Sequence, residues 1–182
     1  IYQMRKIETE GSSQVMRDKL TQTDIDRMNE EIRYRTMEVR KKALEDVKET
    51  RAQGDLSENF EYHAAKKFKN ENESRIRYLQ NMVKTAILVS DDSKEDELGL
   101  DNTVTIKYVD DGSEETYKLV TTVRANSIDG RITTESPLGK AILHHKVGDV
   151  VHVKVSDSIE YDVEITNIVK TTDDGTDEMA KF

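Results

Sequence analysis

The chain has 182 residues, of which 35% are hydrophobic and 36% charged, with a net charge of −9 and no cysteine. Disulfides and thiolate metal sites are thereby excluded, a reducing cytoplasm suits the composition, and no apolar run approaches the roughly 18 residues a membrane span needs. Residues 1–89 hold 18 Lys and Arg against 16 Asp and Glu, a net +2, whereas residues 90–182 hold 10 against 21, a net −11; any nucleic-acid role must therefore run through the first half or through a partner, because phosphate contact requires local cation.

Residues 1–19 mix charged residues, Gly11 and a Ser12-Ser13 pair without a clear period, and are expected to be a partly disordered extension with no signal peptide at its start. Thr21 or Thr23 then offers an N-cap, with Asp24 and Asp26 suited to the positive end of a helix dipole. Ile25, Met28, Ile32, Val39, Ala43 and Val47 recur at spacings of three, four or seven, the mark of an apolar stripe. No Gly or Pro stands between Gly11 and Gly54, nor between Gly54 and Gly99. Both residues are costly inside helices, so one glycine interrupts a long helix-permissive region.

The second helical run is expected over residues 57–88, with one stripe at Phe60, Ala64 and Phe68 and another at Ile76, Leu79, Val83 and Ile87. Between them, residues 70–74 carry no apolar side chain, which makes the seam thin there. Neither helix buries its narrow stripe alone, and the connection is short, so the pattern predicts an antiparallel coiled-coil hairpin over residues 20–89 with its tip at 54–59.

Residues 90–100 read as a charged linker. The period then changes to two. Strands are predicted at 104–109 and 116–122 around an Asp110-Asp111-Gly112-Ser113 turn, then at 131–135, 150–155 and 159–169. Ser136-Pro137 places a capping hydroxyl before a proline, which predicts a short helix over 138–143. The expected fold class is α+β: a helical hairpin, then a small antiparallel sheet with one short helix over 101–170, and a loose polar tail over 171–182.

Asp55 and Glu58 at the tip admit two readings. Asp55 as N-cap with Glu58 three residues on is a capping box for the second helix. Alternatively they do chemistry; a tip roughly 45 Å along a helix has no walls of its own, so such chemistry must take place inside another molecule's cavity. Mg²⁺ suits two carboxylates completed by waters and phosphates. Tyr62 and His63 lie one turn further on, and Lys66, Lys67 and Lys69 form a small basic patch that serves either solvation or phosphate contact. His144, His145 and His152 lack a third ligand at a recognised spacing.

The stretch G-D-L-S-E-N-F-E-Y-H-A-A-K at 54–66 resembles the signature of the Gre transcript-cleavage factors of bacterial RNA polymerase. A second stretch, I-T-T-E-S-P-L-G-K-A-I-L at 132–143 followed by V-G-D-V-V at 147–151, is similar to that family's C-terminal signature. The resemblance spans roughly residues 20–169. It implies an N-terminal coiled-coil hairpin and a C-terminal FKBP-like domain that docks at the rim of the polymerase secondary channel, in the region of Ser136, Pro137, Leu138 and Gly139. It also implies that the hairpin enters the channel, where Asp55 and Glu58 share a Mg²⁺ with the polymerase and position the attacking water. Asn59 and Tyr62 then support the tip, and Lys66, Lys67 and Lys69 stay candidates for RNA contact beside their role in solvation.

On this reading the chain is no enzyme itself and has no cofactor of its own. Its partners are RNA polymerase and the nascent RNA 3′ end, with no membrane, and it is expected to be a cytoplasmic monomer. Phe60 stands where the family more often has a small residue, and the modest basic face leans towards the GreA-like branch. Two alternatives are a paralogue that occupies the channel and inhibits transcription without cleavage, and a prolyl isomerase. The second needs aromatic walls, for which Tyr108, Tyr117 and Tyr161 are few.

Overall fold

The computed structural model of the chain describes residues 17–52 and 59–180. Thr21 caps helix α1 (Gln22–Tyr34): its hydroxyl accepts from the Asp24 N–H at 3.2 Å, and the Asp24 carboxylate accepts from the Thr21 N–H at 3.0 Å. This closed capping box selects Thr21 over Thr23 as the start. The helix continues through a π-helical turn (Arg35–Val39) into α2 (Arg40–Ala52), and α3 (Phe60–Thr85) runs back beside it. Glu31 meets Arg75, Arg40 meets Glu73 and Thr50 meets Asn59, so one set of numbers falls as the other rises. The two helical segments are antiparallel.

The first segment turns its expected stripe inward, with Met28 and Ala43 buried and Ile25, Ile32, Val39 and Val47 half-buried. On α3 the covered row is Tyr62, Ala65, Lys69, Asn72, Ile76, Leu79 and Val83, alternating steps of three and four. The expected Phe60, Ala64 and Phe68 stripe is therefore corrected: all three are exposed, Phe60 at 87%. The reason lies in the segment that carries no apolar residue. The seam crosses it on Asn72, 3% exposed, whose amide donates to the Arg35 carbonyl at 3.4 Å and accepts from the Arg35 guanidinium at 3.3 Å. That carbonyl also receives the Arg40 N–H, the long step of the π turn. A buried amide satisfied on both sides fixes register, and continuing its steps outward lands on 69, 65 and 62.

The strands β3 (Thr103–Tyr108), β4 (Glu114–Val120), β5 (Arg131–Thr133), β6 (Val150–Lys154) and β7 (Glu160–Val169) form one sheet in the order β5-β4-β3-β7-β6. The Asp-Gly hairpin stands where expected, with Gly112 at φ +74° between β3 and β4. The sheet is not wholly antiparallel, however, since β5 pairs with β4 in parallel, Lys118 opposite Arg131. Residues 121–130 are long enough to return the chain beside Lys118, so that β5 runs along the last three residues of β4. A 3-10 turn (Thr122–Arg124) and a tight turn with paired Asn126 and Arg131 backbones then deliver β5 in the same direction.

Helix α4 (Pro137–Ile142) begins as its sequence predicts, the Ser136 hydroxyl accepting from the Gly139 N–H at 3.0 Å. Gly139 is required for close approach, because a Cβ there would lie 2.1 Å from the Thr133 carbonyl oxygen. Leu138 and Ile142 press on Val104, Ile106, Leu119, Val151, Val153, Val163 and Ile165, and Leu98 from the charged 90–100 stretch joins the same core. At one end of that core face Tyr108 and Tyr161 meet with ring centroids 5.5 Å apart, and the hydroxyls of Tyr108 and Tyr117 both donate to Glu115.

A second core of Leu20, Met28, Leu79, Met82 and Val123 lies at the base of the helix pair. Strand β1 (Lys19–Leu20) pairs there in parallel with β2 (Ile87–Leu88), so Lys19, the last residue of the expected extension, is part of the fold. Beside it Asp24 and Arg124, each 0% exposed, form an ion pair at 2.7 Å. No helix among the described residues is long and apolar enough to cross a membrane.

Candidate functional site

The far end of the helix pair is where the sequence concentrates its unusual residues. Asp55 and Glu58 lie outside the described residues, as does Gly54. The residue immediately beyond them is described and corrects one expectation: α3 starts at Phe60 and its N-cap is Asn59. The Asn59 side-chain oxygen accepts from the Tyr62 N–H at 2.9 Å, while its amide nitrogen donates to the Thr50 carbonyl at 2.9 Å. Asn competes well with Asp for the cap, and unlike Asp it has a donor left to bind the last turn of α2. One side chain thus ties the two helix ends together.

Replacing Asn59 by Ala removes both bonds. The expected cost is about 1 kcal/mol of helix stability, concentrated in the first turn of α3, where amide hydrogen exchange should accelerate. Asn59→Asp should keep the cap and lose only the bond to Thr50.

Around this end the side chains divide by face. Phe60 projects into solvent beside the acids in sequence, Tyr62 is half-buried, and His63 meets the Tyr62 ring edge-on at 5.6 Å. Lys66 Nζ sits 6.0 Å from the Tyr62 ring centroid. The three lysines read as one patch do not share a face. Lys66 and Lys67 line an open groove of about 660 Å³ along α3 with His63, Asn70, Ser74 and Arg75, whereas Lys69 lies half-buried in the covered row. Arg75 has no motif to announce it; it is brought to the groove by helical spacing from Lys67 and Glu71.

Lower down, ion pairs fasten the pair, and those of Arg40 and Arg75 run between its helices. Arg40 makes a two-pronged contact with Glu73 at 2.7 and 2.8 Å, and Glu31 receives Arg75 at 3.0 Å and Arg35 at 2.7 Å. The Arg40 hydrogen bonds hold the Glu73 carboxyl below its ordinary range. Burial pushes Glu31 upward, but the bonds from Arg75 and Arg35 prevail and bring it below as well. Both carboxyls have folded-state pKa values beneath their unfolded ones. Their stabilisation is thus present above the unfolded Glu value of about 4.3 and is lost as pH falls through the folded values. Thermal unfolding of the helical signal should shift to lower temperature as the buffer is taken from neutral to acid below that value, and Glu31→Gln should flatten the dependence.

At the other end of the molecule, Ser136, Pro137, Leu138 and Gly139 start α4. Leu138 and Gly139 are buried, Ser136 is half-buried at the cap, and Pro137 faces solvent. Lys19 at the base of the helix pair bonds Glu135 at 2.7 Å, placing this corner next to the base. Among the described residues no group of three His, Asp or Glu side chains stands where it could hold a metal. The described chemistry is that of an arm: two long helices rooted in a small α+β body, carrying their exposed aromatic, histidine and lysines towards the end away from that body.

Comparison with known proteins gives this arm-bearing class its family. Residues 19–87 match the N-terminal domain of the transcription elongation factor family and residues 92–170 match its GreA/GreB C-terminal domain. The chain belongs to the GreA/GreB transcription elongation factor family. It is 36% identical over 149 residues to transcription elongation factor GreA of Macrococcus caseolyticus, covering 82% of this chain and 94% of that one. It is 38% identical over 136 residues to GreA of Geobacillus kaustophilus, covering 74% and 86%. Among solved structures, GreA factor homolog 1 (Gfh1) of Thermus thermophilus is 26% identical, with 84% of this chain and 98% of that chain covered and a TM-score of 0.39.

Proposed function

We propose that this transcription elongation factor binds RNA polymerase, inserts its helix pair as a coiled-coil hairpin into the secondary channel, and stimulates the polymerase's own cleavage of backtracked RNA. The FKBP-like reading of the sheet domain, docked at the channel rim near Ser136 and Pro137, belongs to the same proposal. The observation that carries it is the cap at Asn59. With that residue closing α3, the short segment between Ala52 and Asn59, which carries Asp55 and Glu58 in the sequence, joins α2 to a helix that at 26 residues is about 40 Å long.

Two carboxylates are hard oxygen donors that suit Mg²⁺, yet they are too few to complete its octahedral shell, so the donor set fits an ion shared with a partner. When bound, that ion lowers the pKa of a coordinated water and neutralises charge on the scissile phosphate. Asp55 and Glu58 would hold it and orient the water. Asn59 keeps the two helix ends together behind them, Tyr62 packs against that end, and Lys66 and Lys67, with Lys69 nearer the seam, face the RNA 3′ segment. The chain then supplies groups to the polymerase's reaction and catalyses none alone.

The test is a stalled elongation complex assembled with the cognate polymerase in Mg²⁺ buffer. Added protein should shorten the labelled RNA from its 3′ end and allow the complex to resume. RNA of constant length across the whole protein titration would overturn the proposal.

A further inference from the structure

We propose that residues 171–180, which follow the matched family region, form a clamp that fixes the direction in which the helix pair leaves the sheet domain. The sequence reads this segment as a loose polar tail. In the structure it is fastened to both parts of the molecule at once.

Its first anchor is on the sheet: the Thr171 hydroxyl donates to the Asp101 carbonyl at 2.6 Å and contacts the Thr103 hydroxyl at 2.9 Å. Asp177 then presents its carboxylate to three cations of the sheet domain, Lys118 at 2.9 Å, Arg124 at 3.3 Å and Arg131 at 3.4 Å. The main chain of the same segment faces the other way. Arg27 of α1 donates to the Asp177 carbonyl, and Arg75 of α3 donates to the Ala180 carbonyl at 3.4 Å. Between them Met179 packs on the core that contains Met28 and Leu79 from the helices and Val123 from the sheet side, and the Ala180 N–H donates to the Val123 carbonyl at 2.8 Å.

Acid towards the sheet and carbonyls towards the helices make the segment a cross-tie between two bodies. Without it the base is still attached through Asp24 and Arg124, through Lys19 and Glu135, and through the packing of Val123 on Leu20 and Met28. Lys118 and Arg131 would lose a shared counter-charge, and the apolar core would lose Met179 from its edge. With fewer ties at its base an arm pivots more freely, and each added tie narrows the directions in which it points.

The absence of cysteine makes the test direct, since two introduced cysteines take spin labels without competition. Lys48→Cys on α2 and Lys154→Cys on β6 are both exposed. Pulsed electron-spin distance measurements on the full chain should give one narrow peak. A chain ending at Thr172 should lose that peak to a broad distribution while keeping its helical circular dichroism. A full-length variant with Asp177→Asn and Met179→Ala should also broaden, and it decides the matter if the shortened chain fails to fold. The same narrow distance in either folded variant overturns the clamp. The measurement needs no polymerase, so its failure is distinct from failure of the cleavage assay.

Discussion

Replacing Asp55 by Asn and Glu58 by Gln should abolish RNA shortening in a stalled elongation complex while leaving the protein bound to polymerase: this is the largest effect expected of any change in the chain. Both substitutions keep shape and hydrogen-bonding atoms but remove the two negative charges offered to a shared cation. If those charges hold the metal and aim its water, stimulation should fall by about 10³-fold, equivalent to about 4 kcal/mol of barrier. Folding should be nearly untouched, because the cap of α3 belongs to Asn59 and the described seam is held by Asn72 and the ion pairs beneath it. The discriminating measurement is stimulation and polymerase binding on the same sample. A double variant that still stimulates sinks the assignment of roles. A parent protein that blocks nucleotide addition without shortening RNA would select the inhibitory paralogue. The single variants should not add, since each leaves the site one ligand short.

The helices and most strands were legible because their signals are local. Period, capping hydroxyls and the Asp-Gly turn each act within a few residues, and Thr21, Ser136 and Gly112 behave as such residues should. What escaped was set at longer range. The covered face of α3 is chosen by a buried polar residue, Asn72, whose partner lies 37 positions away, so following apolar side chains alone led to the wrong row at Phe60 and Phe68. The parallel β4–β5 pair depends on how a ten-residue connection folds, which no alternation of strands reveals. At the tip, Asp and Asn are near-equal caps by type, and only the position of the first helical turn separates Asn59 from Asp55. The tail looked loose because its residues are polar; its anchors are charges presented by Arg124, Lys118 and Arg131, which the sequence leaves scattered.

Arg124→Leu should be the most damaging change to stability, by about 3–5 kcal/mol. The guanidinium is completely buried and collects Asp24 at 2.7 Å, Asp101 at 2.6 Å and Asp177 at 3.3 Å, with Asp173 at 3.7 Å. Its removal leaves several carboxylates facing one another with their central counter-charge gone, and Asp24 has no access to water. Burial already pushes the Asp101 carboxyl above its ordinary range despite the Arg124 bond, so losing that bond should raise it further. Asp24 also accepts from the Thr121 hydroxyl at 2.7 Å and closes the cap of α1, which connects the damage directly to the root of the helix pair. Urea unfolding followed by circular dichroism measures the loss. Arg124→Lys is the informative companion: it restores one charge but not the fork that reaches Asp24 and Asp101 together, so it should recover only part of the stability. A fall of under 1 kcal/mol for Arg124→Leu would mean the buried network is dispensable, and the base of the arm would then rest on the Leu20, Met28 and Leu79 core with the contacts of Lys19 and of residues 171–180.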